Sequence, residues 1–286
     1  MKSTQNKIVR IGTKIANRVV SYIPTQKSLL DERPQAYQGP NRNYQKFIVL
    51  THARSGSSML VATLGQHPEI IRFQEIFTSG SIGFNTEGFD NNSEKMIRLR
   101  NRCPIEFLQR QIFSSYPSSI KAVGFKLFPE QIDNKHLSSV WDWIVANKSI
   151  RIILLTRDNL LEAYVSKLIA LKTNGFRCMY ESDRTNTTVN VNFEDCLSEF
   201  QKRHVYNQKA LEQLKHHKLL CLEYEEVVRD LDNSFRKLQE FLGVTVQPIS
   251  VVSLKKEVRP MSEVIENYAE LRERFSDTQW KHLFNE

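Results

Sequence analysis

From residue 45 onward the chain alternates short apolar runs with stretches of helical periodicity. KFIVLT (46–51), AVGFKLF (122–128), IRIILLT (150–156) and KLLCLEY (218–224) are near-continuous apolar runs, the pattern of strands buried on both faces of a parallel sheet. Ile70–Phe73 suits a further strand, and Val189, Val191 and Phe193 alternate like one more. Helical spacing fills the intervals. Helices are predicted after Gly56, over about 138–146, from near Asn159, from about Asn192 to Leu214, and up to Gly243, a residue suited to ending one. A last helix is expected from about Ser262, with Ile265, Tyr268, Leu271 and Phe275 on one stripe. Strand, helix, strand in succession implies right-handed crossovers, so the fold class is α/β, a single domain with a central parallel sheet flanked by helices on both faces.

Upstream of this body, residues 7–23 place Ile8, Ile11, Ile15 and Val19 at helical spacing, with Lys7, Arg10, Lys14 and Arg18 mostly off the stripe. Such a segment either makes peripheral contact with an anionic membrane or packs its stripe on the protein itself. Residues 24–44, with Pro24, Pro34, Gly39 and Pro40, read as a linker. The domain reading is therefore a basic amphipathic segment and linker over 1–44 and a catalytic body over 45–286.

Charge sharpens that division. Of the net +8, residues 1–44 hold eight Lys/Arg against Asp31 and Glu32, so the body is close to balanced. Together with the lack of an aromatic-basic RNA signature, this argues against nucleic acid as a partner. No apolar run reaches membrane-span length and Lys14 and Arg18 interrupt any leader-like stretch, so a cytoplasmic location is expected. The four cysteines, Cys103, Cys178, Cys196 and Cys221, have no metal-ligand spacing and read as reduced structural thiols.

The first chemical signal is THARSGSSML (51–60), at the carboxyl end of the first apolar run and the start of a helix. Free N–H groups and the helix dipole favour an anion there. Gly56 permits close backbone approach, Ser55, Ser57 and Ser58 offer hydroxyls, and Arg54 adds a forked charge. The lysine of the G-x-x-x-x-G-K-[ST] loop is missing, which argues against ATP phosphotransfer. A second strand end, TRDNLLEAYVS (156–166), brings Arg157 and Ser166. Two such elements can clamp a nucleotide bearing two phosphate groups.

The pair of loops, with His67-Pro68, Gln74-Glu75, GFKLF (124–128) and Tyr224-Glu225-Glu226, resembles the sulfotransferases that use 3′-phosphoadenosine 5′-phosphosulfate, especially the bacterial carbohydrate and glycolipid branch. The likeness runs through most of 46–284 and implies a P-loop-like domain. It implies that Arg54, Ser55, Gly56, Ser57 and Ser58 wrap the 5′-phosphosulfate, that Arg157 and Ser166 grip the 3′-phosphate, and that no metal is required. The animal cytosolic enzymes carry lysine at the position of Arg54 and a Gly-rich loop near the C-terminus that this chain lacks. The acceptor implied is a hydroxyl of a carbohydrate, glycolipid or small natural product; a homodimer stays open.

Sulfuryl transfer resembles phosphoryl transfer, with a loose in-line transition state in which positioning and charge stabilisation dominate. It needs a base for the hydroxyl and cations for the departing oxygen. Glu75, at the end of EIIRFQE, is the base that the resemblance favours, with Glu69, His52 and His67 as competitors. Lys126 lies inside an apolar run, so it meets an anion at the site or reaches solvent from a sheet edge. Lys255, Lys256 and Arg259 either close over the nucleotide or form a solvated loop, and the acceptor pocket is expected from roughly 76–118 and 172–195.

Overall fold

The fold is that of a computed structural model describing residues 37–84, 92–132, 137–176, 186–251 and 259–285. The amphipathic segment 7–23 and Lys255 and Lys256 lie outside the described residues. In chain order come β1 (Gln45–Thr51), α1 (Ser57–Leu64), β2 (Ile70–Glu75), α2 (Glu94–Arg102), α3 (Pro104–Phe107) running into a π turn over Leu108–Ile112, β3 (Ala122–Leu127) and α4 (Pro129–Ile132). They are followed by α5 (Ser138–Ala146), β4 (Arg151–Thr156), α6 (Leu160–Thr173), α7 (Phe193–Leu214), β5 (Leu219–Glu223), α8 (Tyr224–Arg229), α9 (Leu231–Leu242), α10 (Met261–Val264) and α11 (Tyr268–Phe275).

Among the described residues the sheet has five strands, all parallel, in the order β2-β3-β1-β4-β5. Their near-continuous apolar sequences follow from burial on both faces. On one face Ile48, Leu50, Val123, Phe125, Ile152 and Leu154 pack against Phe107, Leu108, Val140 and Ile144. On the other, Phe47, Val49, Ile153 and Leu155 meet Leu60, Val61 and Leu64 of α1 and Phe235 and Leu238 of α9. Each such side chain contributes about 1.5–3 kcal/mol relative to leaving it in water. A third cluster, centred on Val165, Phe200, Leu271 and Phe275, ties α6 and α7 to the C-terminal helices.

Helix ends follow their local chemistry. Asn159 and Asn192 cap α6 and α7 by accepting from the N–H groups of Glu162 and Asp195, and Gly243 ends α9 in the left-handed conformation at φ 73°. Two expectations are corrected. The single C-terminal helix is two, because Ile265 turns extended (φ −94°, ψ 113°) and pairs with Val189. Residues 189–193 form no strand beyond that bridge: Val189 and Val191 are buried, but the Asn192 cap turns Phe193 into the first residue of α7. Cys196 is buried as a structural thiol should be, whereas Cys103 and Cys221 are exposed. Among the described residues, no helix is long and apolar enough to cross a membrane.

Glu69 joins the start of β2 to the segment after α9. Its carboxylate pairs with Lys121 at 2.5 Å and accepts from the Thr245 N–H at 2.7 Å. Lys121 and then the Thr245 N–H bring its pKa down from 4.5 to about 2. A carboxyl lowered in the folded state stabilises the protein above its unfolded pKa and loses that contribution as pH falls through its folded one. Glu69→Gln should therefore cost roughly 1 kcal/mol at pH 7, since Lys121 is half exposed and screened. In urea unfolding the gap to wild type should close as the pH is taken from 4.5 to about 2.

Candidate active site

The carboxyl ends of β2, β3, β1 and β4 meet along one edge of the sheet, where an open α/β sheet presents its crevice. At the end of β1, Arg54 and Gly56 both adopt left-handed backbone, with φ of 66° and 77°. This turns the chain sharply into α1. Gly56 is the N-cap and no side chain caps the helix, so the N–H groups of its first turn are left for an anion. Ser55 and Ser57 are buried in the turn and Ser58 is half-buried.

Lys126 is wholly buried on β3, a strand with neighbours on both sides, so it is no edge lysine reaching for solvent. Its ammonium lies 2.7 Å from Glu75 Oε1 and donates to Ser58 Oγ at 3.2 Å. The contact with Glu75 depends on an irregularity in β2. Phe73 pairs with Phe125 and Glu75 with Lys126, so Gln74 is extra and the bulge swings Glu75 onto the lysine's face. The Glu75 side chain remains 24% exposed, within reach of a bound molecule. Three adjacent elements thus form one polar chain: Glu75 from β2, Lys126 from β3 and Ser58 from α1.

At the end of β4, Arg157 makes several protein contacts, but its buried Nε has no hydrogen-bond partner among the described residues. Its guanidinium pairs with Glu162 at 2.5 Å, lies 3.6 Å from Glu225, stacks 4.8 Å from the Tyr224 ring and donates to the Arg54 carbonyl at 2.9 Å. Ser166 is instead reached by Arg54, whose Nε and Nη2 donate to its hydroxyl at 3.0 and 2.8 Å. The arginine expected at the first loop's anion therefore extends to the second loop. Tyr224 holds the two together, since its ring lies 2.1 Å from where a Gly56 Cβ would stand. Glu225 accepts from the N–H groups of Asp158 and Asn159, which gives the Tyr-Glu-Glu triplet a physical reason.

The competing bases are held structurally. His67 donates from Nε2 to the Thr245 carbonyl and accepts the Glu69 N–H at Nδ1. His52 has Nδ1 3.2 Å from Glu130 and Nε2 3.1 Å from Asn207. Burial pushes the Glu130 carboxyl up, but His52 and Arg203 outweigh it and keep the pKa below the ordinary value. Arg259 donates to the Thr187 carbonyl and so joins the segment before α10 to the stretch before α7.

Two arginines escaped the sequence reading. Arg203, 3% exposed on α7, donates to the Ala53 carbonyl inside the anion loop and pairs with Glu199. Arg100, 2% exposed on α2, donates to the carbonyls of Ile76, Thr78 and Ser81, fixing the turn directly after Glu75. Burial lowers its pKa. Each donates to the backbone of a loop outside its own helix, and the only local signal was an arginine on the apolar side of a helix.

An anion-ready helix start beside a buried Lys-Glu pair, at the carboxyl edge of a parallel sheet, has the elements that group transfer from an anionic donor requires. Residues 44–282 match the family described as Sulfotransferase domain, and the chain belongs to that family. Nodulation protein H of Rhizobium tropici is 24% identical over 246 residues, covering 84% of this chain and 93% of that protein. Nodulation protein H of Rhizobium meliloti (strain 1021) is 23% identical over 248 residues, covering 84% and 95%. A sulfotransferase from Alicyclobacillus acidocaldarius aligns at a TM-score of 0.43 and 17% identity over 80% of this chain and 88% of its own.

The Gly56–Tyr224 contact leaves no room for a methyl group. Gly56→Ala should cost about 2–4 kcal/mol from left-handed strain and overpacking. Chemical denaturation should show the double variant with Tyr224→Ala losing less than the sum of the single changes.

Proposed function

We propose that this enzyme transfers a sulfuryl group from 3′-phosphoadenosine 5′-phosphosulfate to a hydroxyl of a carbohydrate, glycolipid or small natural product. Residues 45–286 form the catalytic unit. The observation carrying this reading is the chain Glu75–Lys126–Ser58, which joins a reachable carboxylate to the start of an uncapped helix through a buried cation. The donor's phosphates fit what is present: open first-turn N–H groups at α1, three serines, and a second polar group around Ser166.

When bound, the donor supplies the sulfuryl group that moves in line to the acceptor oxygen, leaving adenosine 3′,5′-bisphosphate. Glu75 Oε1 faces Lys126, so Oε2 takes the acceptor's proton. Lys126 holds that carboxylate in one rotamer, and Arg100 fixes the turn behind it. Once Glu75 is protonated, the ammonium loses its counter-charge beside Ser58 and the start of α1. Positive charge is then released where the leaving oxygen becomes negative, which is where it lowers the barrier.

Adenosine 3′,5′-bisphosphate should raise the melting temperature well above the shift given by AMP or ATP, because a ligand binding only the folded state stabilises in proportion to RT ln(1 + [L]/Kd). Equal shifts for all three nucleotides would sink the donor assignment. Glu75→Gln should lower turnover of labelled donor by roughly 100-fold or more, within the range for a general base, while nucleotide binding persists. Retained turnover would remove Glu75 from its role.

A further inference from the structure

We infer that the cleft between α5 and α7 is a saccharide-binding site, separate from the catalytic crevice and independent of the donor reading above. The cleft has a volume of about 230 Å³. It lies on the face of the sheet that α5 covers, because its lining includes Leu50, which packs with Val140 and Ile144 of that helix in one core cluster. Lys126 meets Ser58 on the opposite face, where α1 packs.

Two kinds of surface meet in the cleft. Trp141 from α5 and Tyr206 from α7 line it, both half-buried, above the buried Leu50 and Pro129. Trp141 Nε1 donates to Gln213 Oε1 at 2.7 Å, a bond between the two helices that fixes the indole and leaves the Gln213 amide N–H groups for other use. The Tyr206 ring packs near His52, with 6.0 Å between centroids. Asp142 and Lys209 complete the lining and are exposed. Among the described residues, none forms a hydrogen bond or ion pair with the Asp142 carboxylate, the Lys209 ammonium or the Tyr206 hydroxyl.

A pyranose ring has an apolar face of C–H groups and a rim of hydroxyls. Aromatic rings suit the first, because they offer a large, rigid apolar surface from which water is released. A carboxylate, an ammonium and an amide suit the second, since each hydroxyl both donates and accepts. An aliphatic chain gains nothing from that polar rim, and a phosphate group is repelled by Asp142. The cleft is smaller than the roughly 300–1,000 Å³ of pockets for drug-sized ligands, so it suits a single ring. Such a site gives the protein a hold on a glycan at a distance from the crevice.

Saturation-transfer NMR on the full chain tests this with the methyl glycosides of glucose, galactose and N-acetylglucosamine, in wild type, Trp141→Ala, Trp141→Phe, Tyr206→Ala and Gln213→Ala. At least one glycoside should bind saturably to the wild type, and Trp141→Ala should weaken it by roughly tenfold or more, the effect of losing a stacked ring. Trp141→Phe keeps a ring and should fall between; Tyr206→Ala and Gln213→Ala should also weaken binding. Saturating adenosine 3′,5′-bisphosphate should leave the affinity for the glycoside unchanged. Ligand-free melting checks folding, and if Trp141→Ala does not fold, Tyr206→Ala and Gln213→Ala decide. Absence of saturable binding for all three glycosides, binding that the cleft variants leave unchanged, or displacement by the bisphosphate overturns the inference. Failure of the bisphosphate itself to bind overturns the donor reading and leaves this one standing.

Discussion

The ammonium of Lys126 sits on a strand flanked by two others, with no water-facing route, and an unpaired charge in such a place costs several kcal/mol. Its neighbours are arranged around that cost. Glu75 must reach the lysine's face, which an unbroken strand would forbid, so β2 bulges at Gln74. Ser58 must come close, which places the start of α1 over the end of β3. One buried charge therefore sets the position of the carboxylate and of the anion site together, and the reaction proposed for the site uses both.

A second constraint couples the two loops. Tyr224 fills the space that only a glycine at position 56 leaves, and its ring also lies against the guanidinium of Arg157. Arg157 in turn holds the backbone of Arg54, and Arg54 reaches Ser166. The crevice is thus built as a closed ring of contacts through β1, β4, α6 and α8, with Arg203 and His52 tying its outer side to α7. Rigidity of this kind suits a reaction in which placement of groups, rather than covalent chemistry by the protein, does most of the work.

Much of this was legible in advance where local pattern and burial coincide. Four of the five strands stood out as apolar runs, because parallel strands covered on both faces need no polar alternation. The helix starts at Asn159 and Asn192 came from residues that satisfy N–H groups within three positions, so short-range spacing sufficed; the start after Gly56, which no side chain caps, was marked by the glycine turn itself. The apolar stripe from Ile265 to Phe275 misled for the complementary reason. Its residues are all buried or half-buried, but Ile265 is buried as extended chain against Val189, and periodicity cannot distinguish the two cases.

The sequence by itself determined the parallel α/β architecture and the candidacy of the loop at 54–58, Glu75 and Lys126. All but the choice of Glu75, which the family resemblance favours, rest on residue type and spacing within a few positions of chain. Only the tertiary structure decided that Glu75 and Lys126 touch, that Arg54 points to Ser166 while Arg157 pairs with Glu162, and that Arg100 and Arg203 brace the loops. Those contacts join residues 5 to 150 positions apart, and a side chain's direction there depends on bulges, left-handed turns and neighbouring rings. No local rule encodes such direction, because it is set by what the rest of the chain has already filled.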